Sequence, residues 1–303
     1  MRYIFKMFKE IKDSTNWKVI KKIHKGWSKD IKFYIETEAH EKLLLRLSDI
    51  ATYEQKQKEY EIICKYSKLG FKMSMPIDFG VCHDNQKVYM LLTWVEGEDL
   101  TFALLKLDEH KQYELGYEAG EILRQIHNIE VPQEEMPRQT KIPRKQAQLQ
   151  AYKDSNLRIA GDERALCFVE KNIHKIWSKR PVYQHGDFHP GNLILTPEGR
   201  VGVIDFNRWG VGDPYEEFYK LESFGTEVSI PYCRGEIDAY FKGNVPEDFW
   251  EILAVYVAHA SLHSIKWAEK FGQEDIDKMI KRCQRAFEHY NYFNNIIPSW
   301  YND

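Results

Sequence analysis

Tyr183–Phe206 reads YQHGDFHPGNLILTPEGRVGVIDF, and it carries more chemistry per residue than any other part of the 303-residue chain. Its first eleven or so residues are too broken by Gly186, Pro190 and Gly191 to form a helix or a long strand. LILT and RVGVIDF then read as two short strands around the turn TPEG. A loop therefore presents Asp187 and Asn192, and the end of a strand presents Asp205. Phosphoryl transfer asks for such a set. One carboxylate accepts the proton of an attacking hydroxyl, which is the role expected of Asp187. Hard oxygen ligands hold Mg²⁺ against a polyphosphate, the role expected of Asn192 and Asp205. His185 stands near no Ser or Cys in a nucleophile elbow, so a hydrolytic triad is a poor reading. With His189 it has the H-x-x-x-H spacing, which puts two ligands on one face only in a helix, and Gly186 and Pro190 argue against a helix. His185 is expected to brace the loop, and His189 to be structural or phosphate-facing.

Working outward toward the N-terminus, Trp17–Leu47 alternates as a three-stranded antiparallel meander broken at Lys25–Asp30. Gly26 and Ser28 in that break are small enough for their backbone to approach phosphate oxygens, although an ordinary hairpin turn explains them equally well. Arg46 lies in an apolar strand, where a charge either finds a partner, lines a cleft or snorkels from an edge. Glu59, on the amphipathic helix that Gly70 ends, is the expected partner. Strands near Met75–Val81 and Val88–Thr93 lead into TWVEGEDL, where a strand ends in a polar connector containing Thr93, Trp94 and Glu96.

Toward the C-terminus helices dominate. Gly116 and Gly120, four apart on a helix over Asp108–Asn128, predict close packing of a second helix, and His127 reads as a satisfied core histidine. Glu130–Arg144 reads as a surface loop, followed by helices over Gln146–Asn156 and Glu163–Ser178, with Asp162 as an N-cap. Asp213 with Pro214 reads as a helix cap. Glu216, Glu217 and Glu222 read as a solvated face or as acids facing a cationic substrate. Helices follow near Tyr232–Phe241, Glu247–Phe271 and Glu274–Phe293. His259 and His263 are four apart but lack a visible third ligand, which favours core or pocket-lining roles.

Composition excludes several classes. The net charge of -3 from 43 basic and 46 acidic side chains gives no footprint for nucleic acid. No apolar run is long enough to span a bilayer or to form a signal peptide. The cysteines, Cys64, Cys82, Cys167, Cys233 and Cys283, have no metal or disulfide spacing, so a cytoplasmic protein is expected.

HGDFHPGN followed by VIDF resembles the signature of the aminoglycoside phosphotransferase family, whose members share the protein-kinase fold. The resemblance extends over most of the chain through Arg46, Glu59, the TWVEG connector and Asp213-Pro214. It implies an α+β, two-lobed fold: an N-terminal antiparallel sheet lobe with one main helix over 1–93, a hinge over 94–99, and a larger, mainly helical lobe over 100–303. It further implies a kinase that moves the γ-phosphate of ATP or GTP to a hydroxyl of a small molecule, with Asp187 as base and Asn192 and Asp205 on magnesium. Gly26, Ser28, Arg46, Glu59, Thr93, Trp94 and Glu96 would then hold the nucleotide. Many relatives have Lys where this chain has Arg46, which keeps the charge but changes the grip on phosphate. Neither the repeated glycines of protein kinases at Gly26 nor an Ala-Pro-Glu segment after the IDF motif is present, and both absences favour a small acceptor. An antibiotic is one acceptor class; choline-like, sugar or amino acid acceptors are others, and a nucleotide-binding module without catalysis is the rival. Oligomeric state is left open.

Overall fold

The computed structural model describes residues 8–24 and 29–302. Contacts divide the chain into two compact units, Met1–Glu98 with Leu193–Trp209, and Asp99–Asn192 with Gly210–Asp303. The hairpin after the Asp187 loop thus clusters with the N-terminal unit, although sequence order alone leaves it with residues 100–303.

The first unit is built on a five-stranded antiparallel sheet. Its strands are β1 (Trp17–Ile23), β2 (Ile31–Thr37), β3 (Lys42–Asp49), then β5 (Pro76–Cys82) and β6 (Lys87–Thr93), in the order β1-β2-β3-β6-β5. The alternation read from the sequence is the buried alternation of β2, where Phe33, Ile35 and Thr37 turn inward. Phe8, Trp17, Ile35, Leu45 and Leu91 meet in one apolar cluster. Helix α1 (Tyr53–Tyr66) buries Ile62, Ile63 and Tyr66, and Gly70 follows it in the left-handed conformation, as expected of a helix stop. The strands Leu193–Leu195 and Val201–Val203 pair antiparallel, and the second also runs parallel to β4 (Lys72–Met73). Tyr66 of α1 packs against Phe206 at 5.6 Å between ring centroids, which ties the end of this hairpin to the helix.

The second unit is mainly helical: α2 (Glu109–His127), α3 (Ile142–Lys153), α4 (Asp162–Asn172), α5 (Ile230–Phe241), α6 (Glu247–Ala268) and α7 (Gln273–His289). Gly116 and Gly120 bring α2 against α5 as their spacing predicts. A Cβ at Gly116 would stand 2.0 Å from the Tyr232 carbonyl oxygen, and one at Gly120 2.1 Å from that of Glu236. Helix α6 is buried nearly all round from Phe249 to Ile265, so it crosses the core of this unit.

Two local readings are corrected. Helix α3 begins at Ile142, inside the expected loop, because Pro143 falls in its first turn, where a missing N–H costs nothing. Gly161, not Asp162, caps α4; the Asp162 carboxylate is taken by the Tyr152 hydroxyl and by Arg158. Among the described residues no helix is long and apolar enough to cross a membrane, and all five cysteines are unpaired.

Candidate active site

In the first unit Arg46 is buried on β3 and pairs with Glu59 of α1 at 2.5 Å. This is the partner its apolar strand demanded. Two further groups, which sequence reasoning missed, close the set. Asp30 receives Arg46 Nε at 3.1 Å and Nη2 at 2.5 Å, and Lys56 reaches both Asp30 at 2.8 Å and Glu59 at 2.9 Å. Burial works against the charge of Asp30, but Arg46 and Lys56 outweigh it and hold the carboxyl down at about 2. Burial also opposes the Arg46 charge, and Glu59, Asp30 and Asp205 together raise its pKa all the same. Lys56 had a readable signal, since it stands three residues before Glu59 on one helix face. Asp30, from a turn, had none.

Asp205 follows the strand Val201–Val203 with left-handed backbone angles, φ 63° and ψ 64°. That conformation is unfavourable for a non-glycine residue and concentrates at functional sites. Its Oδ2 accepts from Lys32 of β2 at 3.1 Å, whereas its Oδ1 is buried and has no hydrogen-bond donor among the described residues. A buried carboxylate oxygen without a donor suits a hard cation. Among the described residues no three His, Cys, Asp or Glu side chains converge to hold a metal by themselves. Magnesium does not require that, because it is usually held by one or two protein oxygens together with phosphate and water.

The connector residues are placed as follows. The Thr93 amide donates to the Met75 carbonyl at 2.9 Å and the Trp94 amide to the Lys42 carbonyl at 2.9 Å. The Trp94 ring stands edge-on to Tyr34 at 5.1 Å, and Glu96 pairs with Lys42. The backbone donors of Thr93 and Trp94 are thus used inside the sheet. Gly26 and Ser28 lie outside the described residues.

In the second unit the Asp187 loop is tied from several sides. The Glu217 carboxylate accepts from the His185 amide at 2.9 Å and the Gly186 amide at 2.6 Å, and from His127 Nε2 at 3.0 Å. His127 is therefore a satisfied core histidine, as expected, and it acts on the loop through Glu217. His185 Nδ1 accepts from the Asp187 amide at 3.2 Å, so the expected brace is present. Asn192 donates from Nδ2 to the Asp187 carbonyl at 2.8 Å, a bond that does not use its Oδ1. His189 Nδ1 accepts from the Gly191 amide at 3.1 Å, and its ring stacks on Phe224 at 4.7 Å. Lys220, buried and not foreseen, places Nζ 2.6 Å from Asp187 Oδ1.

The acids after Asp205 are not a solvated face. Asp213 caps the turn Pro214–Phe218 as expected, accepting from the Tyr215 amide, and it also accepts from the Trp177 amide and the Tyr256 hydroxyl. Glu216 meets Lys145 at 2.9 Å and Lys141 at 3.3 Å; burial raises its pKa, but the two ammonium groups win and bring it down to about 2. Glu222 accepts from Trp300 Nε1 at 2.8 Å and pairs with His289 at 2.9 Å, which also shows the C-terminal aromatics packing into this unit.

A model of the phosphotransferase enzyme family matches residues 19–251. The chain belongs to the phosphotransferase enzyme family. No curated protein matches the sequence. Among solved structures, the GDP complex of aminoglycoside 2'-phosphotransferase-IIIa aligns over 94% of this chain and 97% of its own, with TM-score 0.72 and 14% identity. Spectinomycin phosphotransferase APH(9)-Ia, bound to ADP and spectinomycin, aligns over 99% and 93%, with TM-score 0.68 and 15% identity. A thermostable mutant of APH(4)-Ia with ADP and hygromycin B aligns over 94% and 96%, with TM-score 0.66 and 14% identity. The fold of this phosphotransferase is therefore that of the kinase-like aminoglycoside phosphotransferases, with an antiparallel sheet in one unit and helices dominating the other.

Proposed function

We propose that this phosphotransferase moves the γ-phosphoryl group of ATP or GTP to a hydroxyl of a small molecule, with Mg²⁺ and with Asp187 as the base. In this reading the first unit and the connector 94–99 hold the nucleotide, and the second unit holds the base and the acceptor. The observation that carries it is the Asp187 loop, pinned at three consecutive amides by Glu217 and His185 and closed by Asn192. Such bracing keeps a carboxylate at a fixed place without spending reorganisation at the moment of reaction.

The acceptor oxygen forms a bond to the γ-phosphorus as the bond from that phosphorus to the bridging oxygen breaks. The hydroxyl proton passes to Asp187, and the nucleoside diphosphate leaves. Arg46, held by Glu59 and Asp30, would be the cation for the α- and β-phosphates, and the Thr93–Glu96 segment would border the nucleobase. Asn192 Oδ1 and Asp205 Oδ1 are the oxygens that would hold magnesium, which supplies neutralisation of the phosphate charge. Antibiotic acceptors enter because two of the similar structures are complexes with spectinomycin and with hygromycin B. The test is consumption of ATP and of GTP, with Mg²⁺, across hydroxylated compounds and antibiotics. Acceptor-dependent release of nucleoside diphosphate is expected; tight nucleotide binding with no acceptor-dependent release would overturn the reading.

A further inference from the structure

The surroundings of Asp187 bear on what it would deprotonate. Lys220 lies at the end of the Pro214–Phe218 turn, immediately before the π-helical turn Leu221–Gly225. Isolated π turns of this kind frequently mark functional positions. Its side chain is 6% exposed, with Nζ 2.6 Å from Asp187 Oδ1 and 5.2 Å from the centre of the Phe224 ring. The same ring carries His189 at 4.7 Å and the Arg282 guanidinium at 4.6 Å. Cationic and imidazole groups thus gather on one aromatic side chain next to the base. The glutamates that follow in the segment 216–227 are engaged within the chain: Glu216 with Lys141 and Lys145, Glu217 with the loop amides, Glu222 with His289 and Trp300, and Glu227 with Arg282.

We infer that Lys220 selects the acceptor: by keeping an ammonium against the Asp187 carboxylate, it disfavours a polyamine and admits a hydroxyl compound that is uncharged or acidic beside its reacting hydroxyl. The inference rests on Asp187 being the base. Its physical content is like-charge exclusion. A second positive charge within a few ångströms of a buried ammonium is repelled, and an incoming amine must displace Lys220 from its partner. The acceptor class is then a polyol or a hydroxy acid, and not a polycationic aminocyclitol.

The test uses the full chain saturated with Mg²⁺ and nucleotide, titrated calorimetrically with kanamycin as the cationic probe and gluconate as the acidic one. Lys220→Met is expected to gain affinity for kanamycin by about 10-fold or more, the order a removed like charge gives at a partly buried site, and to lose affinity for gluconate. Lys220→Arg, which keeps the charge, is expected to behave as the wild type toward kanamycin. Micromolar kanamycin binding by the wild type, or no gain in Lys220→Met, would overturn the inference. If Lys220→Met does not fold, Lys220→Gln, which keeps a polar side chain without the charge, is expected to gain in the same direction, and an unchanged kanamycin affinity there counts against the inference. Nucleotide consumption followed in the same samples separates the two readings. Lack of turnover with every acceptor defeats the phosphotransfer proposal, whereas the change in probe preference on Lys220→Met judges the selectivity.

Discussion

In the first unit Arg46 and Lys56 face Asp30 and Glu59 in a closed, buried set of two cations and two anions. In the second unit the decisive carboxylate, Glu217, receives two backbone amides and an imidazole. Both arrangements hold a part of the proposed site still, but they fail differently. The ion set loses a whole charge when one member is removed, leaving another buried and unbalanced. The Glu217 arrangement loses hydrogen bonds and lets a loop move while the helices around it remain packed. The first unit would therefore report damage as lost stability, and the second as lost geometry at Asp187.

Four substitutions sharpen that contrast. Glu59→Ala strands the Arg46 guanidinium and is expected to lower stability by about 3–5 kcal/mol, read from chemical denaturation; a loss under about 1 kcal/mol would show that the ion set does not hold this unit together. Glu217→Ala removes charge-assisted bonds worth about 1.5–3 kcal/mol, and turnover should suffer more than its unfolding midpoint. An unfolding loss without any change in turnover would reverse the comparison. Glu236→Gln isolates a third kind of site. Burial pushes the Glu236 carboxyl up to about 8 despite the Tyr232 hydroxyl beside it. The folded chain then holds a proton that the unfolded chain releases near 4.5. Stability should fall as pH rises between those values, by at most about 1.4 kcal/mol per pH unit, and the Gln variant should lack this slope in denaturation midpoints taken from pH 5 to pH 8. Lys278→Ala breaks an exposed helix pair with Glu274 and should leave the midpoint where it was.

Much of the fold was readable because it depends on local pattern. The alternation of β2, the stop at Gly70 and the paired glycines of α2 each carry their signal within a few residues. Arg46 announced a partner because an apolar strand cannot hold a bare cation, and Asp187 and Asn192 share one short loop. What escaped reading depends on chain segments far apart in sequence. Glu217 meets His127 across 90 positions, and Lys220 meets Asp187 from a different element. Their letters alone are indistinguishable from those of a solvated helix face, and only packing shows that Glu216, Glu217 and Glu222 are spent on partners within the chain. The position of the hairpin Leu193–Trp209 within the first unit belongs to the same class, since contacts and not sequence order decide it.

The most direct measurement compares wild type and Asp187→Asn for acceptor-dependent nucleotide consumption and, in parallel, for nucleotide binding in the presence of Mg²⁺. Loss of the proposed general base is expected to lower turnover by about 10²–10⁴-fold, with nucleotide affinity nearly unchanged because Arg46 and the Thr93–Glu96 connector, proposed to hold the nucleotide, are untouched. Turnover in Asp187→Asn equal to that of the wild type would contradict the account.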